Sequence, residues 1–427
     1  MPEIGLLLCH NLCKRTKSRQ LRWPNLMKLI SWHFFAIAFL FLACVDTYDV
    51  SIEGSRKYLI VEGSITNIFD EDQTIRIFET DDQSDFISTD FTKTIFSKNN
   101  EAVPVENASV EVIENGSVIY SLNEISPGFY EMPNGFLAQV GNEYQLKFST
   151  TDGKAYASST ELMKPVPDVS NYEIRFNPTG VKKTRLFNIQ TATHDFYLDF
   201  NDPEDEVNFY SWSWTDYEIQ NVCHTCKQGL YFPVDEVAGL PERCEINTSF
   251  NVNTSYDYKC QSLCWEIYDG DDITIFSDVF TNGQPQKNKL VAQVPAFQLN
   301  SCLVTIQQKS LTPGAFRYLK LIEDQSVNSG SLADTPPAPI KSNVLNVDAK
   351  EELVLGYFTA SAVKEVRHML NRSDAPNLLP DRIFSILNNR DVVFELDGQF
   401  RPLVPLAPCL SSSTRTSDAP RNWQFGI

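Results

Sequence analysis

From Tyr58 onward the chain is built of short runs in which apolar and polar residues change places with period two. Tyr58–Gly63, Thr74–Phe78, Pro104–Ile113, Gly116–Leu122, Gly141–Ser149 and Lys154–Thr160 all read this way. Such alternation over four to eight residues is the mark of a half-buried strand. Turn chemistry falls between the runs: Asn115-Gly116, Pro127-Gly128 and Asp152-Gly153. Asn-Gly flanked by alternating segments predicts a hairpin. No helix-period segment interrupts, so residues 57–164 read as an N-terminal β-sandwich of immunoglobulin-like type.

Pro165-Val-Pro167 reads as a stiff, extended linker into a second β domain over 165–410. Its strands are Ile174–Phe176, Phe196–Phe200, Asn208–Trp214, Cys264–Tyr268, Asp271–Ser277, Leu290–Leu299 and Leu303–Ser310, with Leu353–Ala360 apolar enough to be central. Residues 216–263 break the rhythm and are expected to form a long insertion, a kind of loop that more often carries function than a short one. One helix is expected, from Thr312 to Asp324: Thr312 can cap its amides, Pro313 suits the first turn, and Phe316, Leu319 and Ile322 share a face. Lys364–Leu370 is read as a second, short helix. Ala333–Lys341 is read as a Pro-rich crossing, Asp391–Leu396 as a strand, and 411–427 as a polar tail. The fold class is therefore all-β: two sandwiches, the second with a cysteine-rich insertion and one short helix.

The N-terminal 56 residues follow another pattern. Lys28 precedes an apolar run, Leu29–Leu42, shorter than the ~20 residues that span a bilayer. Ala43 and Cys44 follow it. This is an export signal ending in a lipid-attachment cysteine, with Phe41-Leu42-Ala43-Cys44 keeping the last two positions of the usual bacterial pattern and loosening the first two. Residues 1–43 are set aside as upstream segment and signal, with Met27 the better start, and 44–56 reads as a polar tether. Cys44 would carry the lipid, palmitate included, which places the protein at the outer membrane.

Charge supports that placement. After residue 43 the chain holds 30 Lys/Arg against 54 Asp/Glu. A surface so acidic repels phosphate backbones, which argues against nucleic acid, and it does not adsorb to anionic lipid, so the membrane link must be the anchor. Cysteine usage agrees. Apart from Cys9, Cys13 and Cys44, seven remain: Cys223, Cys226, Cys244, Cys260, Cys264, Cys302 and Cys409. Five crowd into 223–264. In an oxidising compartment they read as disulfides, with an odd thiol left over; Cys223/Cys226 with Cys260/Cys264 leave zinc as the competing reading. Asp199, Asp202, Glu204, Asp205 and Glu206 could hold calcium or simply make a solvated turn.

No metalloprotease, nucleophile-elbow, phosphate-loop or dinucleotide motif is present, and His194, His224 and His368 sit in no catalytic spacing. No enzyme, cofactor or resident metal is expected. Ligand contact is expected at the 216–263 insertion and at aromatics near Trp212, Trp214 and Trp265, which otherwise belong to a sandwich core.

The order of these signals resembles a family of Bacteroidota lipoproteins catalogued as a domain of unknown function, family 4249. The residues that carry the resemblance are Leu59-Ile-Val-Glu-Gly63, Gly128-Phe-Tyr130, Gly141-Asn-Glu-Tyr144, Asp152-Gly-Lys-Ala-Tyr156, Tyr210-Ser-Trp212, Cys264-Trp265, Ser310–Tyr318, Pro339–Asn343, Gly356–Ser361 and Cys409 through Trp423. A second cysteine that often follows Cys409 in that family is replaced here by Leu410-Ser-Ser-Ser413, which leaves Cys409 to pair with Cys302 or stay free. The resemblance implies association with a TonB-dependent outer-membrane transporter, for which the lipoprotein would capture or gate a ligand. The alternative is a cell-envelope adhesion or structural protein with no transporter partner.

Overall fold

Strand alternation is visible in the side-chain burial of the computed structural model. It describes residues 57–69, 73–80, 102–180, 192–375 (except 205, 236, 247, 249–254, 297, 299 and 328–339), 399 and 406–424. The signal, Cys44 and the tether lie outside the described residues, as do most of Ala333–Lys341 and all of Asp391–Leu396. Among the described residues strands dominate, and the helix Pro313–Val327 is accompanied by no other. The fold is all-β.

Two sheets form the N-terminal sandwich. One is built on strands Leu59–Thr66 and Thr74–Glu79, the other on Ser109–Glu114 and Glu143–Ser149. Their inward residues, among them Val61, Ile75, Ile77, Val112, Tyr144 and Leu146, meet in one core. The expected hairpin is present: Glu111–Glu114 pairs antiparallel with Val118–Ser121, and Asn115 and Gly116 both take positive φ, 48° and 70°, as the tight turn requires.

The same sandwich is completed from far along the chain. Val354–Leu355 and Phe358–Ser361 add in parallel to Leu59–Thr66, and Val344–Asn346 pairs with Ala155–Ser158. The apolar run at 353–360 is thus two short strands with a break at Gly356. There φ is 85° and a Cβ would lie 2.1 Å from the Val61 carbonyl oxygen, so only glycine fits.

The second group of strands packs a three-stranded sheet (Val169–Asn177, Thr193–Asn201, Pro285–Pro295) against a six-stranded one. In the larger sheet Phe209–Ile219 lies between Cys302–Ser310 and Trp265–Asp269. Val363–Leu370, expected to be helical, is instead the strand beside Cys302–Ser310, in continuous register from Lys309↔Val363 to Cys302↔Leu370. A run of residues able to form a helix is drawn into the sheet by the unpaired edge of its neighbour, as tertiary context commonly dictates.

Both groups of strands share one hydrophobic cluster, running from Leu59 to Leu370. The Pro165–Pro167 segment is extended as expected, and it is fastened: Ser310 donates to the Lys164 carbonyl (2.6 Å) and Gln308 to that of Pro167 (2.9 Å). Ala362 stitches the sheets where the chain passes from Phe358–Ser361 into Val363–Leu370, its N–H donating to Ser310 Oγ (3.1 Å) while Val363 N–H donates to Asn67 Oδ1 (2.7 Å).

Candidate functional site: a helix-roofed cleft

The strand Phe209–Ile219 organises everything around the site. Its inward positions are Tyr210, Trp212, Trp214, Asp216 and Glu218, all buried, while the odd-numbered positions between them are half-exposed. The first three are aromatic core. Tyr210 packs edge-on against Phe200, and Trp212 donates from Nε1 to Gln308 (3.0 Å). Trp265 is also fully buried, against Trp423. All three tryptophans are therefore buried and not the exposed aromatics expected there, although Trp212 also borders the cleft described below. Each sits on an inward position of a strand whose opposite face is the accessible one.

The next two inward positions are acidic. Residues 216–219, expected in the insertion, continue the strand, because a buried partner lets carboxylates occupy core positions. That partner is Arg372. Its guanidinium holds both oxygens of Glu218, one through Nη1 at 3.1 Å and the other at shorter range, and lies 3.5 Å from Asp216; Gln298 also donates to Glu218 (2.5 Å). Arg372, Glu218 and Asp216 are all buried. Burial, with the Glu218 charge beside it, pushes the Asp216 carboxyl well above its usual range. Burial likewise pushes up the Cys302 thiol next to it, which keeps that thiol protonated and inert. A cluster with no route to solvent does no chemistry on a ligand; it is a buried structural lock.

The cysteines form a module of their own. Cys223–Cys260, Cys226–Cys244 and Cys264–Cys409 are disulfides, and Cys302 is free. The zinc reading is overturned, since all four proposed thiols are bonded to other sulfurs. Cys409 reaches neither Cys302 nor solution as a free thiol; it closes on Cys264 because Leu406–Ala407 adds in parallel beside Lys259–Cys260. Two small sheets make up the rest: Val222–Lys227 with Ser255–Cys260, and Gly229–Phe232 with Arg243–Ile246. At the neck of the module a pocket of about 550 Å³ is lined by Gln220, whose buried carboxamide has no hydrogen-bond partner at either end among the described residues.

The acidic residues around Phe200 are divided among separate partners. Asp199 accepts from the Asn288 N–H (2.7 Å) and pairs with Lys287, Asp202 accepts from the Tyr210 hydroxyl (2.7 Å) and Gly283 N–H (3.0 Å), and Glu206 pairs with Lys164. The histidines have structural neighbours. His194 is buried against Asp374 (3.0 Å), His224 lies beside Tyr231, and His368 bonds Tyr172 (3.2 Å). Burial holds His194 below its usual pKa, the Asp374 carboxylate opposing.

The cleft lies on the outward faces. Thr312 caps the helix Pro313–Val327 by accepting from Ala315 N–H (3.2 Å), and Phe316 packs on Phe209. The helix thereby lies over the line where the two sheets meet, enclosing a cleft of about 410 Å³. Its walls differ in kind. The helix contributes Ala315, Leu319 and Ile322, with Tyr318 tilted against Tyr357 at 4.8 Å between ring centres. The sheets contribute Ser211 and Ser213 from the strand whose other face carries the tryptophans, and Ser64, Thr359 and Ser361 from the pair Leu59–Thr66 and Phe358–Ser361, with Ile273, Ile275 and Leu311 as apolar patches between them. Sequence reading passed over these hydroxyls. The available signal was the odd-numbered serines of Tyr210-Ser-Trp-Ser-Trp214, which must face away from the core if the tryptophans face into it.

Fold and site together define an all-β, disulfide-stapled protein with a single described helix roofing an amphiphilic cleft. The chain belongs to the family described as domain of unknown function DUF4249, whose model matches residues 45–367. No curated protein and no solved structure matches it.

Proposed function

We propose that this is a lipid-anchored envelope protein serving as the ligand-binding or accessory subunit of a TonB-dependent outer-membrane transporter. The observation that carries the reading is the pairing of an export signal ending at Cys44 with a body that holds three disulfides and an open cleft. Disulfides persist in oxidising compartments outside the cytosol. A cleft lined by hydroxyls and tyrosines suits holding a ligand. The acidic surface leaves the acyl chain at Cys44 to fix the protein to the membrane.

The test is a pull-down of tagged protein from native outer membranes after mild crosslinking, with Cys44→Ala alongside. A TonB-dependent barrel recovered in stoichiometric amount with the wild type is the expected result, together with loss of membrane association in the variant. Wild-type protein that reaches the outer membrane and brings down no barrel would leave the adhesion or structural role as the better account.

A further inference from the structure

We infer that the helix-roofed cleft is a binding site for a neutral, polyhydroxylated ring ligand of mono- to disaccharide size. The inference rests on the ligand-binding reading above and names the ligand class. Strand geometry fixes which groups face the cleft. Since Tyr210, Trp212 and Trp214 enter the core, Ser211 and Ser213 point outward. Since Phe358 and Ala360 enter the core, the half-exposed Thr359 points outward, and Ser64 lies in register beside it. The hydroxyls of Ser64, Ser211, Ser213 and Thr359 are engaged by no partner among the described residues. Each can donate and accept, so together they offer a carpet of hydrogen bonds with both polarities.

The helix side is apolar and aromatic, with Leu319, Ile322 and Tyr318, and Tyr357 lies beside Tyr318; Ile273, Ile275 and Leu311 add apolar surface between the hydroxyls. A sugar ring has the matching division, C–H groups on its faces and hydroxyls around its edge. It can lay a face on the tyrosines and turn its edge to the serines. Other classes fit worse. A purely apolar ligand would strand the hydroxyls without water or partner. An anion would meet Glu62 and Asp272 at the rim against a single lining cation, Lys309. The volume, about 410 Å³, is in the lower part of the ~300–1,000 Å³ range of small-molecule sites.

Saturation-transfer NMR on the full lipidated protein, in a detergent without a sugar headgroup, tests this directly. The probes are glucose, maltose and cellobiose, with glucose 6-phosphate and glucuronate as anionic counterparts. Transfer to at least one neutral sugar is expected, with apparent Kd raised tenfold or more in Ser213→Leu and in Ser64→Leu, which fill the cleft from outward positions. Should leucine disturb the fold, Ser211→Ala with Ser213→Ala, which only removes hydroxyls, takes its place. Silence from all neutral sugars, equal binding of the anionic ones, or undiminished binding in the variants would each overturn the inference. The barrel pull-down reads independently. A recovered barrel with no sugar signal sinks the ligand class alone, and a sugar signal without a barrel sinks the transporter partner alone.

Discussion

The body and the cysteine module of this protein solve the same problem with different means. The body gathers buried residues from Leu59 to Leu370 into one cluster, and the only cysteine in that cluster, Cys302, is unpaired. The module's core is Cys223, Cys226, Tyr231, Tyr258, Cys264 and Ala407. Half its members are bonded sulfurs. A large core removes enough apolar surface from water to offset chain entropy; a small one does not, and crosslinks that restrict the unfolded chain make up the difference.

Removing Arg372 should break the comparison most severely. Arg372→Met leaves Glu218 and Asp216 buried without a cation, an expected loss of about 3–5 kcal/mol. A urea unfolding midpoint close to wild type would show that the body does not depend on this lock. The Cys264–Cys409 disulfide comes next. It closes a span of 145 residues, and in the chain-entropy picture replacing both cysteines by serine costs about 4–5 kcal/mol or less. The effect should be local: hydrogen exchange is expected to lose protection at 222–227 and 255–260 and to keep it at 209–219. Uniform loss over both regions would mean that the module and the body fold as one. A smaller change of opposite sign is expected at the neck. Gln220→Leu removes a carboxamide buried without partners among the described residues, so stability should stay level or rise by ~1–3 kcal/mol. A clear loss would point to an ordered water or ligand on that amide.

The sequence made the body legible where alternation was apolar against polar. The Asn115-Gly116 hairpin, the strands of the first sandwich and the Thr312-capped helix stand close to where period and turn chemistry put them. It was less legible where a core position carried charge. Asp216 and Glu218 sit at the same period as Trp212 and Trp214, but a carboxylate is scored as exposed until its partner is known, and Arg372 is 154 residues beyond Glu218. The helical reading of Lys364–Leu370 failed for a related reason: the neighbour that makes it a strand, Cys302–Ser310, is not local. The cleft was missed because its serines look like ordinary solvent-facing positions. Only the helix laid across them makes a site.

The finest contrast is between two buried carboxylates. Burial pushes Glu114 upward, yet Asn142 (2.5 Å), Tyr120 (2.9 Å) and Tyr144 (2.9 Å) all donate to it and hold its pKa below the usual carboxylate value. Burial and Glu218 move Asp216 the other way. For Glu114 the unfolded chain binds the proton more tightly, so its contribution is full above the unfolded value near 4.5 and is lost as the pH falls through the folded value. For Asp216 the folded chain binds the proton more tightly, so its contribution is full below the unfolded value near 3.8 and is lost as the pH rises through the folded one. Glu114→Gln should therefore cost ~1–2 kcal/mol at pH 7, for the charged hydrogen bonds removed, and progressively less below pH 4. Asp216→Asn, which imitates the protonated form, should be harmless at low pH and gain on the wild type as the medium becomes alkaline. Urea unfolding of the two variants from pH 3 to pH 9 reads both slopes. Parallel curves for Asp216→Asn and wild type would mean that Asp216 keeps no proton, so that the lock sets one guanidinium against two ionised carboxylates.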